Sequence, residues 1–189
     1  GYDPETVTTY EAGLKGSLLE HRLNFAAALF HSAYEDQQVT TQVAVGAGIA
    51  SFVDNVGSST MYGAEFEGSL VVSDNFRLTG ALGYIHAEFD EFIRFYPAGA
   101  INPLTGLVVP AGGVTLNIAD LVVFQNTPEW SGNIAATWST DLGGGQLTFT
   151  PSASYRGAYS QFETPSPILD QESFWLYDAS LIWTSDTGN

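Results

Sequence analysis

The chain has 189 residues, of which 21 are acidic and 5 are basic, and its net charge of −16 leaves no basic footprint for nucleic acid. The absence of cysteine excludes a disulfide framework, a thiolate nucleophile and cysteine-based metal sites. Only 14% of the residues are charged, against roughly 25% in a typical soluble domain, yet no apolar run is long enough for a transmembrane helix. The hydrophobic residues must therefore lie in an alternating pattern.

Seven long segments alternate between apolar and polar residues with a period of two, which predicts strands. In chain order they cover residues 6–18, 22–38, 60–73, 76–93, 130–138, 146–159 and 173–184. In the second segment Leu23, Phe25 and Leu29 share one face. Phe30 and Tyr34 fall on the other, so a β-bulge is predicted near Phe30.

The connections between these segments alternate in length. Short turns are predicted near residues 20, 74 and 143, and long loops are predicted at 39–59, 94–127 and 157–172. Outer-membrane barrels join their strands by short periplasmic turns and longer extracellular loops. The sequence therefore predicts an all-β fold, namely a fragment of an antiparallel up-and-down transmembrane β-barrel with about seven long strands.

Two pairs of tryptophans support the membrane interpretation. Trp130 and Trp138 lie eight positions apart on one face of the fifth segment, and Trp175 and Trp183 repeat this spacing in the seventh. At ~3.3 Å per residue and ~40° tilt, eight positions span about 20 Å along the barrel axis, close to the spacing of the two aromatic girdles. A soluble β-sandwich also alternates, but its strands average only ~5–6 residues.

Several phrases, in order along the whole chain, resemble the barrel of TonB-dependent outer-membrane receptors. They are Pro4-Glu5 with Tyr10, Glu11, Gly13 and Lys15; Arg22 with Phe30, Tyr34 and Gln37; Tyr62 to Glu67; Asn126 to Trp130; Tyr155-Arg156; and Leu176 to Ala179. The resemblance implies that residues 1–189 are an internal piece near the C-terminal end of a 22-stranded barrel, with the plug, the earlier strands and the final strands outside it.

The same resemblance implies a function without catalysis and without a cofactor. Such a receptor lies in the outer membrane of a Gram-negative bacterium, among lipid and lipopolysaccharide. It transports a scarce solute, usually a ferric siderophore, with energy that the TonB complex delivers through the plug. A passive porin, an outer-membrane barrel enzyme and a soluble carbohydrate-binding sandwich remain as alternatives.

Candidate site residues fall into two groups. Four polar side chains are predicted to face the lumen, namely Glu11, Lys15, Glu65 and Glu67. They would contact the plug or the passing solute. For Lys15, a structural ion pair with a glutamate on a neighbouring strand is the favoured interpretation. A cation among aromatic rings at a loop mouth suits a flat, anionic ligand, and the candidates for that role are Arg94, Phe95 and Tyr96.

The remaining ionisable residues give weaker signals. Glu88, Asp90 and Glu91 could hold divalent cations that bridge lipopolysaccharide, but a solvated loop entrance is the commoner case. The three histidines, His21, His31 and His86, lack the spacing of a metal site. No phosphate-loop or hydrolase phrase accompanies them, so no catalytic residue is predicted.

Overall fold

A computed structural model describes residues 3–45 and 48–186, and its strands form one antiparallel sheet. The strands are β1 (Thr6–Leu18), β2 (Leu23–Val45), β3 (Gly48–Ser73), β4 (Phe76–Tyr96), β5 (Val114–Asn117), β6 (Trp130–Asp141), β7 (Gly145–Arg156) and β8 (Phe174–Ser185). Their order in the sheet is β1-β2-β3-β4-β6-β7-β8, with β5 beside β4. Each long strand pairs with the next long strand along the chain, which is the up-and-down topology that the alternating loop lengths predict.

Two predicted loops contain strands: the loop prediction at 39–59 was wrong, and the one at 94–127 missed only short elements. The described part of residues 39–59 belongs to β2 and β3, which pair from Val39↔Asp54 to Val45↔Gly48; residues 46 and 47 lie outside the described residues. The β-branched residues of this stretch favour extended backbone over a loop. Residues 94–127 begin with the last residues of β4 and contain β5 and a 3-10 helix, Ala119–Leu121.

The bulge in β2 lies further along the strand than predicted. Phe30 pairs regularly with Glu11 on β1 and with Gly63 on β3, and the register shifts only between Tyr34 and Gln38. Phe30 therefore faces the same side as Glu11 in an uninterrupted ladder. Its ring lies against Gly63, where an added Cβ would overlap both this ring and the carbonyl oxygen of Tyr84.

A second irregularity lies in β4 at Asp90. Ser59 pairs with Phe89 and Ser58 pairs with Glu91, so Asp90 is an extra residue in the ladder. Because of this insertion, Phe89 and Phe92 both point to the face that carries Phe30. Without the bulge, residues 89 and 92 would point to opposite faces.

The turns at one end of the sheet are tight, and this end is called the short-turn end. At the β6–β7 turn Leu142 donates its N–H to the oxygen of Gly145, and Gly143 and Gly144 adopt φ values of 61° and 78°, which glycine tolerates without strain. At the opposite, long-loop end, β4 and β6 are joined by the first long connection (residues 97–129). The second long connection (residues 157–173) joins β7 and β8.

Burial is concentrated at the long-loop end. Among the described residues, the buried hydrophobic side chains are Phe92, Val109, Ile118 and Val122. Both faces of the sheet are otherwise accessible; Tyr10, for example, is 72% exposed. Within residues 3–45 and 48–186, no helix combines the length and apolar character needed to cross a bilayer.

Candidate functional site

One face of the sheet is polar and lines a cavity of about 1150 Å³. Its four predicted polar residues, Glu11, Lys15, Glu65 and Glu67, all line this cavity. The register of the ladder places them on one face. Glu65 on β3 lies opposite Ala28 on β2, and Ala28 lies opposite Gly13 on β1. Gly13 lies between Glu11 and Lys15 and shares their side of the strand. This face is called the cavity face.

Lys15 forms no ion pair with a glutamate of the described chain, so its predicted pairing stays a prediction. Within the described part of the chain, the ion pairs are His86–Glu88, His86–Glu129 and Arg94–Glu163. Lys15 lies opposite Ala26, which in turn lies opposite Glu67, so a whole strand separates the lysine from the nearest glutamate in its row. Two strand spacings amount to roughly 10 Å. The cavity face therefore presents its charges to the cavity instead of neutralising them.

The opposite face carries large apolar side chains in two rows. The outer aromatic row lies toward the long-loop end and consists of Tyr10, Tyr62, Tyr84, Trp130, Tyr155 and Trp175. The inner row lies eight positions away on the same strands and consists of Leu18, Leu70, Phe76, Trp138, Leu147 and Trp183.

Aromatic contacts link the outer aromatic row across neighbouring strands. The rings of Tyr84 and Trp130 lie 4.7 Å apart, and those of Tyr155 and Trp175 lie 5.0 Å apart, measured between centroids. The four tryptophans of the two rows are between 43% and 53% exposed. A face this apolar and this exposed requires an apolar surrounding.

The predicted ligand residues at the end of β4 do not form one cluster. Nη2 of Arg94 lies 2.9 Å from Oε2 of Glu163, and its guanidinium lies 5.0 Å from the centroid of the Phe92 ring. Tyr96 packs against the buried cluster around Phe92. Phe95 alternates to the opposite side of the strand and is 60% exposed. Nη2 of Arg94 is therefore engaged by Glu163, and the other N–H groups of the guanidinium are not bound by it.

Sequence reasoning missed Glu163, the ion-pair partner of Arg94. The alternation in β4 places Phe92, Arg94 and Tyr96 on one side of the strand. The bulge at Asp90 decides which face of the sheet this side belongs to. Glu163 lies 69 positions further along the chain from Arg94, so no local pattern connects the two.

His86 lies two positions beyond Tyr84 of the outer aromatic row, toward the long-loop end. Its Nδ1 lies 2.9 Å from Oε1 of Glu129, and its Nε2 lies 3.4 Å from Oε2 of Glu88. The hydrogen bond to Glu129, followed by that to Glu88, raises the pKa of His86 above its usual value, although partial desolvation opposes the shift. The ring also lies 5.0 Å from that of Tyr62.

The other histidines and the acidic residues of β4 have separate local roles. His21 contacts the Ser17 hydroxyl at 3.0 Å, and His31 lies opposite Tyr10 and Tyr62. The carboxylate of Asp90 accepts a hydrogen bond from Thr60 at 2.8 Å. In the chain as described, no group of three or more histidine, aspartate or glutamate side chains could hold a metal ion.

An up-and-down sheet with one polar, cavity-lining face and one apolar, exposed face is part of the wall of a transmembrane β-barrel. The family model described as TonB dependent receptor-like, beta-barrel, matches residues 1–187. The chain belongs to this family, whose members lie in the outer membrane of Gram-negative bacteria. The resemblance read from the sequence is thereby confirmed, and so is the predicted fold class.

Solved structures show the same fold. The ferric yersiniabactin uptake receptor FyuA from Yersinia pestis is 16% identical, with a TM-score of 0.66 over 97% of this chain. The siderophore receptor PiuA from Acinetobacter baumannii is 21% identical, with a TM-score of 0.61 over 94%. The copper transporter OprC is 12% identical, with a TM-score of 0.63 over 95%. The chain spans 23%, 22% and 23% of their respective lengths.

Family membership also bears on the alternatives. Receptors of this family transport solutes and do not catalyse reactions, which agrees with the prediction that the chain is not an enzyme. A β-sandwich needs two packed sheets, whereas the described strands form a single sheet.

Proposed function

We propose that the receptor to which this chain belongs takes up a scarce solute, in the first instance a ferric siderophore, by TonB-dependent active transport. The observation that carries this proposal is the family match over residues 1–187. Among the similar structures, FyuA is by name a ferric yersiniabactin uptake receptor and PiuA a siderophore receptor. The TonB complex would act through the plug, and the solute would enter from the long-loop end.

In this proposal the two rows of the apolar face are the membrane girdles. The tryptophans Trp130 and Trp175 would lie at the outer interface, near the lipopolysaccharide, and Trp138 and Trp183 at the inner one. Amphipathic indole rings are favoured at both interfaces because they combine an apolar body with a polar N–H. The exposure of all four rings on one face supports this assignment.

The cavity face would line the lumen. Glu11, Lys15, Glu65 and Glu67 have no ion-pair partner within the described chain, so their charges are available to the plug or to the passing solute. Charged groups with low-dielectric walls nearby attract oppositely charged partners strongly. We place the contact with the plug first, because the cavity that these residues line is wide and open to the barrel interior.

For the extracellular ligand residues, the proposal is narrower than the sequence suggested. Phe95 presents an accessible ring, whereas Arg94 is held by Glu163 and by the Phe92 ring. An anionic group of the solute would meet the N–H groups of Arg94 that Glu163 does not contact. An uncharged, flat group would stack on Phe95 from the opposite side of β4.

A second solute class has specific support. OprC, a copper transporter by name, shares the fold at a TM-score above that of PiuA, so the fold also accommodates receptors for other metals. A passive porin would share a polar lumen and aromatic girdles but would not depend on TonB.

The test is solute uptake by cells that carry or lack the whole receptor gene, each in the presence and absence of TonB. Labelled ferric siderophores of the catecholate, hydroxamate and mixed-ligand classes would be compared with copper and cobalamin. Ferric siderophore uptake that needs both the receptor and TonB is the expected result. TonB-dependent uptake of copper or cobalamin alone would overturn the siderophore assignment. Receptor-dependent uptake that persists without TonB would overturn active transport.

A further inference from the structure

The two long connections at the extracellular end lie against each other. The N–H of Val123 in the first connection donates to the oxygen of Glu163 in the second at 2.8 Å. The N–H of Asn126 donates to the oxygen of Ser160 at 2.9 Å. These two backbone hydrogen bonds run between segments that the sequence separates by a full hairpin, β6–β7.

The first connection is anchored on β4 by an apolar cluster. Phe92 is fully buried and packs with Ile118 and Val122, while Phe89 stacks on Phe124 with ring centroids 4.3 Å apart. Because Phe89 and Phe92 both lie on the cavity face, the segment from Ile118 to Phe124 covers that face of β4 above the cavity. This segment therefore lies on the inner side of the sheet at the long-loop end.

Asn117 fixes the start of this covering segment. Its Oδ1 accepts hydrogen bonds from the N–H of Phe92 at 2.9 Å and from the N–H of Ala119 at 3.1 Å. The N–H of Ile118 donates to the oxygen of Phe92 at 2.8 Å. Satisfied backbone groups around a buried ring make a local unit that resists independent opening.

Two arginines tie the second connection to this unit. Arg94 from β4 meets Glu163 at 2.9 Å, and both side chains are about three-quarters shielded from solvent. Arg156, the last residue of β7, donates to the oxygen of Asn126 at 3.2 Å and places its guanidinium 4.5 Å from the centroid of the Tyr159 ring. Each arginine thus contacts residues from different segments.

We propose that Arg94 on β4 and Glu163 form a clasp that holds the second long connection against the unit formed by β4 and the first connection, so that the two connections open together and not separately. Arg94 is held in place by the ring of Phe92, whose own burial depends on the first connection. Glu163 offers its backbone oxygen to Val123 and its carboxylate to Arg94, so one residue carries both links. A solute arriving from outside then meets a single preformed surface, which lowers the ordering cost of binding.

The test is hydrogen exchange of the whole receptor in detergent, without solute, read out by mass spectrometry. Glu163→Gln and Arg94→Gln each remove the ionic contact from one side. We expect exchange to accelerate about two- to five-fold in both connections at once, the factor that a partly shielded ion pair supports. The amide of Ser139, bonded to Asn75 at the short-turn end, should not change.

Two further variants separate the clasp from a general loss of charge. Glu172→Gln removes a carboxylate from the same connection that has no ion pair within the described chain, and it should leave exchange unchanged. The double variant Arg94→Glu with Glu163→Arg reverses the pair and should recover at least half of the lost protection in both connections. Heat-modifiable gel mobility confirms that every variant has assembled its barrel.

Three results would overturn the proposal. They are faster exchange in the second connection alone, an equal acceleration in Glu172→Gln, and no recovery in the reversed pair. The exchange experiment uses no solute, so its result does not depend on the siderophore assignment. In the same way, the uptake experiment does not depend on whether Arg94 and Glu163 form a clasp.

Discussion

Nδ1 of His86 lies 2.9 Å from Oε1 of Glu129, and this contact fastens β4 to the residue that precedes β6. The N–H of Ile85 donates to the backbone oxygen of the same glutamate at 2.9 Å. The side chain and the backbone of Glu129 are therefore both bound to β4 just beyond the outer aromatic row. The end of the first long connection is fixed at this point.

Glu129→Gln should lower the pKa of His86 toward its ordinary value, because the hydrogen bond to Glu129 is the largest cause of the raised pKa. The measurement is an NMR titration of the imidazole in the labelled whole receptor. Glu88→Gln is the matched control, since the contact to Glu88 is longer, at 3.4 Å. An equal or larger shift with Glu88→Gln would contradict this ranking of the two carboxylates.

The sign of the pH dependence follows from the raised pKa. The His86–Glu129 contact should stabilise the folded protein fully below the pKa of an unfolded histidine, ~6.5. Its contribution should be lost as the pH rises through the higher pKa of the folded state. A urea titration of the refolded receptor at several pH values should show this loss in the native protein and a smaller loss in Glu129→Gln, where the contact to Glu88 remains.

Ile134→Arg should destabilise the barrel by ~2–4 kcal/mol, because Ile134 lies midway between Trp130 and Trp138 on the apolar face, 53% exposed to its surroundings. Its neighbour Asn133 lies on the cavity face at nearly the same depth, so Asn133→Arg should cost much less. Refolding equilibria in lipid vesicles measure both. Equal costs at the two positions would refute the assignment of faces.

Local patterns in the sequence were sufficient to predict the strands near the membrane. Period-two alternation depends only on neighbouring residues, and β1 has the predicted ends, Thr6–Leu18. The same reasoning failed at the long-loop end. The strands there, from Val39 onward, carry weak alternation, and the contacts of Arg94 and Phe92 come from residues distant in sequence. The bulge at Asp90, which sets the direction of Phe92, is visible only from the partner strand.

Gly63→Ala should destabilise the sheet by about 1–3 kcal/mol, the usual cost of forcing an extra methyl group into a packed position. An added Cβ at Gly63 would overlap the Phe30 ring and the Tyr84 carbonyl oxygen, which belongs to the backbone and cannot rotate away. Gly83→Ala is the matched control on the same face, since its nearest neighbour, the Ser131 hydroxyl, would lie at 3.4 Å. Urea midpoints of the two variants in detergent give the comparison, and similar midpoints would count against the close approach of Phe30.

Glu67→Gln should reduce solute uptake without lowering barrel stability, because Glu67 faces the cavity and has no ion-pair partner among the described residues. The loss of a charge that serves the plug or the solute changes transport, whereas the loss of a structural ion pair would change the urea midpoint. Glu172→Gln, in the second long connection, is the control for net charge. A lowered midpoint with normal uptake would show that Glu67 has a structural role instead.

Phe92→Ala should loosen the long-loop end while leaving the membrane-spanning strands intact. Phe92 is fully buried with Ile118 and Val122, so its removal leaves a cavity that costs about 3–5 kcal/mol in a closely packed core. The apolar cluster lies outside the region between the two rows, and the spanning strands do not depend on it. Limited proteolysis of the whole receptor should therefore cut residues 97–129 faster, with unchanged heat-modifiable mobility of the barrel.

Phe95→Ala, which removes a ring that is 60% exposed on the other side of β4, should not alter the cleavage rate. Equal cleavage of the two variants would show that the first long connection does not rest on the Phe92 cluster.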